Sequence, residues 1–303
     1  MAWETRGIVV PGPPPLDWAR SHAALPVIKL VDDACRLYFS SRDDRGRARI
    51  ALADGRIEED RLVIEEYRRE PALDLGELGA FDDSGVTSSC IVEHDGRTYL
   101  YYSGWSLGKT VPFYFFVGLA VSDDATTFRR LSPAPILERN EVDPFLTASP
   151  WVIVEDGLWR MWYVSCTGWN LVDGEPRHRY HIRYAESDDG IRWRRSGRIC
   201  IDYRDESEYA ISRPCVVRDP DGYRMWFASR GPAYALGYAE SDDGLEWRRV
   251  DPDDRPTPNG WDAEMQAYPV VFDDTSGRRH MLYNGNGYGA TGIGHAVREM
   301  PAR

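Results

Sequence analysis

Carboxylates in polar segments are the first candidates for chemistry in this sequence. Asp83 lies in Phe81-Asp82-Asp83-Ser84-Gly85-Val86, Glu208 in the run from Tyr203 to Arg213, and Asp262 and Glu264 in Trp261-Asp262-Ala263-Glu264-Met265. Two carboxylic groups held a short distance apart can cleave a glycosidic bond. One protonates the leaving oxygen and the other acts as base or nucleophile. Glu264, between a tryptophan and a methionine, is expected to be desolvated, which raises a carboxyl toward the pKa of a general acid. Around these four candidate catalytic residues stand groups suited to orienting a polyhydroxylated substrate. His22, Arg42, Asp43 and Asp143 offer charge and hydrogen bonds, as do Arg213, Arg230, Asn284 and Asn286, while Trp105 and Trp169 offer faces for a sugar ring. Plainer roles stay open. His22 can be a hydrogen-bonded core histidine, Asp83 and Asp143 turn caps, and Arg213 a structural partner of Glu208.

Other chemistries find little footing. His178 and His181 share a polar loop but have no nearby cysteine or positioned third ligand, so no metal site is expected. No glycine-rich phosphate loop precedes a helix and no Gly-x-Ser-x-Gly elbow occurs, and no cofactor is expected. With 37 Lys+Arg against 49 Asp+Glu the net charge is -12, without a basic run, which argues against nucleic acid as a partner. No apolar run approaches the roughly 20 residues of a membrane span and no leader pattern opens the chain. The expectation is a cytoplasmic protein without a membrane partner, its five cysteines reduced and buried.

The elements that must position these residues are written as a repeat. An apolar run, a short polar turn and an aromatic-rich run recur at 24–41, 88–104, 148–165, 212–229 and 267–285. The matching positions Pro26, Cys90, Pro150, Pro214 and Pro269 anchor the five copies. A second hairpin follows each, clearest as Tyr-Ala-Glu-Ser-Asp-Asp-Gly from Tyr184 and again from Tyr238, each leading to Trp-Arg-Arg. Four strands per copy predict an all-β fold, a five-bladed β-propeller of four antiparallel strands per blade, forming one domain over residues 1–303. The last copy lacks its fourth strand. The missing one stands at the other end, in residues 2–11, so the N-terminal strand is expected to close the last blade. The Ser-Asp-Asp-Gly turns are expected to be hairpin locks with the Trp packed between blades. The long loops, which carry the candidates above, then converge at the opposite face, at the mouth of the channel.

Through Tyr184-Ala185-Glu186-Ser187-Asp188-Asp189-Gly190 and Arg224-Met225-Trp226-Phe227 the chain resembles the five-bladed propeller glycosidase superfamily of arabinanases, invertases and mannoside phosphorylases. It is most similar to a branch associated with polysaccharide and sugar pathways, through Ser21-His22-Ala23, Ala210-Ile211-Ser212-Arg213-Pro214 and Asn284-Gly285-Asn286-Gly287. The resemblance implies a carbohydrate or glycoconjugate partner. It departs at one point: arabinanase-like members carry their acids just before the first-strand prolines, where this chain has Leu25, Ser149 and Ser212. A glycoside hydrolase using the carboxylates above is the first expectation. The alternatives are a phosphorylase or transferase, with Arg42, Arg213 and Arg230 holding phosphate, a non-catalytic sugar-binding propeller, and a protein scaffold.

Overall fold

The computed structural model describes residues 2–32, 34–250 and 254–299. Strands β2 (Ser21–Val31), β3 (Ala34–Arg42), β4 (Ala48–Glu58) and β5 (Arg61–Tyr67) form a first antiparallel unit. β6 (Gly85–His94), β7 (Arg97–Leu107), β8 (Phe113–Ser122) and β9 (Arg129–Arg130) form a second. These two share one sheet through a single parallel pairing, Ala48 with Gly85. A second sheet is built in the same way. It joins β10 (Thr147–Glu155), β11 (Leu158–Val172), β12 (Glu175–Ser187) and β13 (Arg194–Ile201) to β14 (Ala210–Asp219), β15 (Gly222–Arg230), β16 (Tyr234–Ser241) and β17 (Arg248–Arg249). The junction is Tyr180 with Ala210.

The last sheet contains β18 (Ala267–Asp273), β19 (Arg279–Asn284), β20 (Gly292–Arg298) and, on its outer edge, β1 (Glu4–Pro11). β1 runs antiparallel to β20 from Glu4 opposite Val297 to Pro11 opposite Gly292. The first strands β2, β6, β10, β14 and β18 touch in that order, and β18 touches β2 again. Helix among the described residues is confined to a 3-10 turn at Gly260–Asp262 and a helical turn at Asn286–Gly289.

Second strands read as nearly unbroken apolar runs because neighbours cover both their faces. Leu37, Tyr38 and Phe39 are all buried, as are Met161, Trp162 and Tyr163. Core clusters therefore bridge units: Tyr38 and Leu52 pack with Leu100 and Tyr102, and Val10 and Ile293 pack with Phe39 and Ala51. The Ser-Asp-Asp-Gly turns lock themselves. Asp189 Oδ1 accepts from Ser187 Oγ and the amides of Ile191 and Arg192, and Asp243 repeats the pattern with Ser241, Leu245 and Glu246. Trp193 then meets Tyr101, and Trp247 meets Trp162, in each case on the preceding unit at centroid separations of 6.1 and 6.2 Å. All five cysteines are free and buried, and burial raises Cys35, Cys90, Cys200 and Cys215 to about 12.

A chain of imidazoles runs through the seam between the last and first units. The Leu62 amide donates to His295 Nδ1, His295 Nε2 faces His280 Nδ1 at 2.9 Å, and His280 Nε2 faces Asp274 Oδ2 at 3.1 Å. The amide fixes the tautomers: His295 donates to His280, which donates to Asp274, and both rings are neutral. Burial lowers both, His295 to about 3, against the pull of Asp274 and Asp60 and with the charges of Arg6, Arg61 and Arg278 nearby. A histidine with a depressed folded pKa contributes stability that is complete above its unfolded value of about 6.5 and is lost as pH falls below it. One such group removes about 2 kcal/mol between pH 7 and pH 5. Urea unfolding at those two pH values is expected to show this loss, and His295→Gln to reduce it. Equal midpoints in the wild-type chain would exclude a neutral imidazole pair at the seam.

Candidate functional site

A cavity of about 270 Å³ opens where the first strands meet. Its wall takes Leu25, Ser149, Ser212 and Tyr268 from first strands and Ser40, Ser103 and Val164 from second strands. Local backbone geometry explains the first set. Leu25, Ser149, Arg213 and Tyr268 each precede a proline and each has positive φ, between 46° and 57°. Strand pairing skips at these points, between Ala24 and Val27, Ala148 and Trp151, Ser212 and Cys215, and Ala267 and Val270. Such bulges re-aim side chains out of the strand's alternation, and the left-handed backbone costs on the order of 1 kcal/mol or more at each non-glycine residue.

Aromatic and cationic groups complete the wall. Trp105, Phe113, Phe115, Tyr180 and Tyr288 contribute rings and His22 and Arg42 contribute nitrogen donors. Tyr288 also has positive φ, 60°, inside the turn after Asn286. His22 bonds Ser21 Oγ at 2.9 Å, and burial with the neighbouring Arg42 charge lowers its pKa, leaving the ring neutral at pH 7. Among the described residues no aspartate or glutamate lines the cavity.

Acids of the loops expected to face it are engaged elsewhere, Asp143, Glu208 and Asp262 among the expected residues and Asp82 beside the expected Asp83, and the pattern repeats. Asp82 accepts from Tyr102 at 2.9 Å and Arg130 at 2.7 Å. Asp143, wholly buried, accepts from Tyr163, Ser165, Arg183 and Arg195. Glu208 takes both terminal nitrogens of Arg249, at 2.7 and 2.8 Å, together with Ser229 and the Arg204 amide. Burial works against the charge on Glu208, but those bonds outweigh it and its carboxyl titrates below the usual range, opposite to a general acid. Arg130, Arg195 and Arg249 are the second arginines of Phe128-Arg129-Arg130, Trp193-Arg194-Arg195 and Trp247-Arg248-Arg249. In the second, third and fourth units the outer strand thus pairs with the acid in the loop leading into that unit. In the last unit Asp262 is held by Gln266, Tyr283 and the Asn259 amide instead.

Other expected site residues also turn out to be braces. Asp83 caps its own turn through the Gly79 amide and Ser84. Asp43 is tied to Arg47 and Arg49; burial raises its carboxyl, but these bonds prevail and hold it at about 2. Asn284 is buried and stitches the last unit to the first through the Leu25 amide and the Ala23 carbonyl, and Asn286 accepts from the Glu264 and Met265 amides. Glu264 itself is exposed, so the desolvation expected of it is absent. Trp169 stands beside the cavity, against Phe113 and His178. Arg213 does not pair with Glu208. It is fully buried and donates to the carbonyls of Ser88 and Pro26 at 2.5 and 2.7 Å, crossing from the fourth unit to the second and first. Arg230 lies among Tyr209, Tyr234 and Tyr288, 5.3 to 5.4 Å from their centroids. No cluster of three His, Cys, Asp or Glu residues able to hold a metal occurs among the described residues.

His22, Arg42 and Trp105 are therefore the expected residues that the structure brings together in the cavity wall. Leu25, Ser149, Ser212, Tyr268 and Tyr288 are lining residues that the sequence did not mark as ligand contacts. The resemblance held a signal for Leu25, Ser149 and Ser212, which it sets against the positions where arabinanase-like members carry acids.

No protein-family model matches the chain. It is 43% identical over 305 residues to "Uncharacterized protein MT1551" of Mycobacterium tuberculosis (strain CDC 1551 / Oshkosh), covering 99% of this chain and all of that protein. The same identity and coverage hold for "Uncharacterized protein Rv1502" of Mycobacterium tuberculosis (strain ATCC 25618 / H37Rv). Among solved structures it is similar to a "Glycoside hydrolase" (TM-score 0.75, 17% identity, 99% of this chain and 92% of that one). It is also similar to a "thermostable family-43 glycoside hydrolase" (TM-score 0.67, 14% identity, 93% and 90%). The fold is therefore that of the propeller glycoside hydrolases. No helix among the described residues is long and apolar enough to cross a membrane.

Breaking a buried ion pair from one side is strongly destabilising, by about 3 to 5 kcal/mol. Asp143→Ala and Glu208→Ala are expected to lower stability by about 3 kcal/mol each in urea unfolding, whereas Glu264→Ala, on the surface, should change it by less than about 0.5 kcal/mol. Unaltered midpoints for both buried-site variants would refute the bracing role.

Proposed function

Because this chain belongs to one family with the Mycobacterium tuberculosis proteins MT1551 and Rv1502, with which it aligns end to end, we propose a function for the shared architecture: its central cavity binds a carbohydrate. Each four-stranded unit is read as one blade. The five blades make a single domain that β1 closes through its pairing with β20. Five buried free thiols fit a reducing, cytoplasmic compartment.

The observation that carries the reading is the composition of the cavity at the places where arabinanase-like members keep their acids. Leu25, Ser149 and Ser212 stand there. A site at that location with rings and hydroxyls suits a sugar. Trp105, Phe113, Phe115 and Tyr288 can cover apolar sugar faces, while Ser40, Ser103, Thr87 and Tyr180 can meet hydroxyls. Two-carboxylate hydrolysis needs an acid and a second carboxyl flanking one bond, about 5 to 9.5 Å apart. Asp83, Glu208 and Asp262 are occupied by internal hydrogen bonds and Glu264 is on the surface. Sugar binding without that mechanism is the function this geometry supports best.

Calorimetric titration against an array of neutral and charged mono- and oligosaccharides tests it. At least one member is expected to bind saturably, and Trp105→Ala to weaken it about tenfold, equivalent to about 1.4 kcal/mol. Glu208→Gln and Asp262→Asn, if folded, should leave that affinity within about twofold. Rapid glycoside turnover abolished by Glu208→Gln in a protein that remains folded would overturn the reading.

A further inference from the structure

The charges around the cavity carry one step more. Arg42 lines the wall, and its guanidinium makes no hydrogen bond or ion pair with any described residue. Arg230 stands behind Tyr288 in its cage of three tyrosines with no carboxylate partner among the described residues, where its buried Nε also finds no acceptor. Arg230 contacts the Tyr288 ring, which lines the same wall as Arg42. Arg213, wholly buried, has among the described residues only two backbone carbonyls for its charge, and its Nε finds no acceptor there. Lowered to about 10 by burial, it still carries that charge at neutral pH.

Most buried or half-buried arginines elsewhere find carboxylates: Arg130 with Asp82, Arg195 with Asp143, Arg249 with Glu208 and Arg279 with Asp219 and Asp273. Arg179, over the Tyr203 ring, is an exception. Three uncompensated guanidiniums beside one acid-free cavity, in a chain of net charge -12, leave the site short of negative charge. An anion supplied by a ligand would meet that shortage, and a planar guanidinium on the wall matches a carboxylate or phosphate group with two parallel donors.

We propose that the ligand of this cavity is an anionic sugar, a sugar phosphate or a uronate, whose charged group is held by Arg42 within the field of Arg230 and Arg213 while its ring stacks on the aromatic wall. The inference rests on the carbohydrate reading of the same site and names its substrate class. Neutral sugars lack the group that Arg42 is free to bind. Polyanionic nucleic acid is disfavoured by the acidic exterior, whereas a single small anion can enter.

The test pairs each neutral sugar of the array with its uronate and its phosphate, and adds inorganic phosphate alone. The anionic members are expected to bind more tightly than their neutral partners, and more weakly as salt is raised. Arg42→Gln should weaken the anionic members about ten- to a hundredfold and leave neutral ones within about twofold, with Arg42→Lys in between. Arg42 is exposed, so its variants are expected to keep the wild-type melting point. Equal affinity for neutral and anionic partners would overturn the anionic inference and leave the carbohydrate reading standing. So would an unchanged preference in folded Arg42→Gln. Binding by no sugar of any kind would overturn both. Inorganic phosphate bound as tightly as every sugar phosphate would overturn the sugar part alone.

Discussion

The organisation of this protein depends on an interaction that is out of sight of solvent: a carboxylate in the loop leading into a unit, locked to a hydroxyl on the second strand and an arginine on the outer strand. It occurs as Asp82 with Tyr102 and Arg130, Asp143 with Tyr163 and Arg195, and Glu208 with Ser229 and Arg249. Each lock joins the inside of a sheet to its edge, fixing the outer strands β9, β13 and β17, of which β9 and β17 are only two residues long. A charge buried without such partners would cost several kcal/mol, so the acid and the arginine require each other. That requirement also limits chemistry. A carboxylate engaged by arginine and hydroxyl donors inside the sheet does not line the cavity, so it is poorly placed to deliver a proton or to activate water there.

The second constraint is the left-handed residue before each first-strand proline. Where the strand would bury alternate side chains, the bulge turns Leu25, Ser149 and Tyr268 toward the common centre, and sends Arg213 across it. Strain of this kind persists only where the surroundings over-determine it. Here Asn284 fixes the Leu25 amide, Ser103 fixes that of Ser149, and the carbonyls of Pro26 and Ser88 fix the Arg213 side chain. Scaffold and cavity are thus the same hydrogen bonds viewed from two sides.

This explains what the sequence disclosed and what it hid. Strands, turns and the pairing of residues 4–11 with the last sheet are local or repeated patterns, and alternation with Asp-Gly turns shows them directly. The Trp-Arg-Arg repeat even contains the key to the acids, since its second arginine is what Asp143 and Glu208 bind. Read alone, an acid in a loop looks available. Its orientation is decided by a partner 41 to 52 residues away, as with Glu208 and Arg249 or Asp143 and Arg195. Glu264 misleads for a related reason: aromatic neighbours in sequence do not imply a covered carboxylate, because Asp262 and Met265 turn inward while Glu264 points out. Arg213, expected to orient a ligand, has backbone oxygens for partners, which carry no sequence signature.

From these constraints the electrostatics of the cavity follow. A protein with an excess of acids would be expected to repel anions everywhere. Most acids that approach the core are instead neutralised by an arginine or divided among several donors, so at short range they contribute little field to the centre, and solvent screens those on the surface within about 8 to 10 Å. What is left at the cavity is the charge that nothing balances. Arg42 on the wall, Arg230 behind Tyr288 and buried Arg213 are three cations without a carboxylate partner among the described residues, and the burial of Arg213 leaves its field the least screened of the three. The sign of the site is therefore set by the pairing pattern of the scaffold, opposite to the sign of the molecule as a whole.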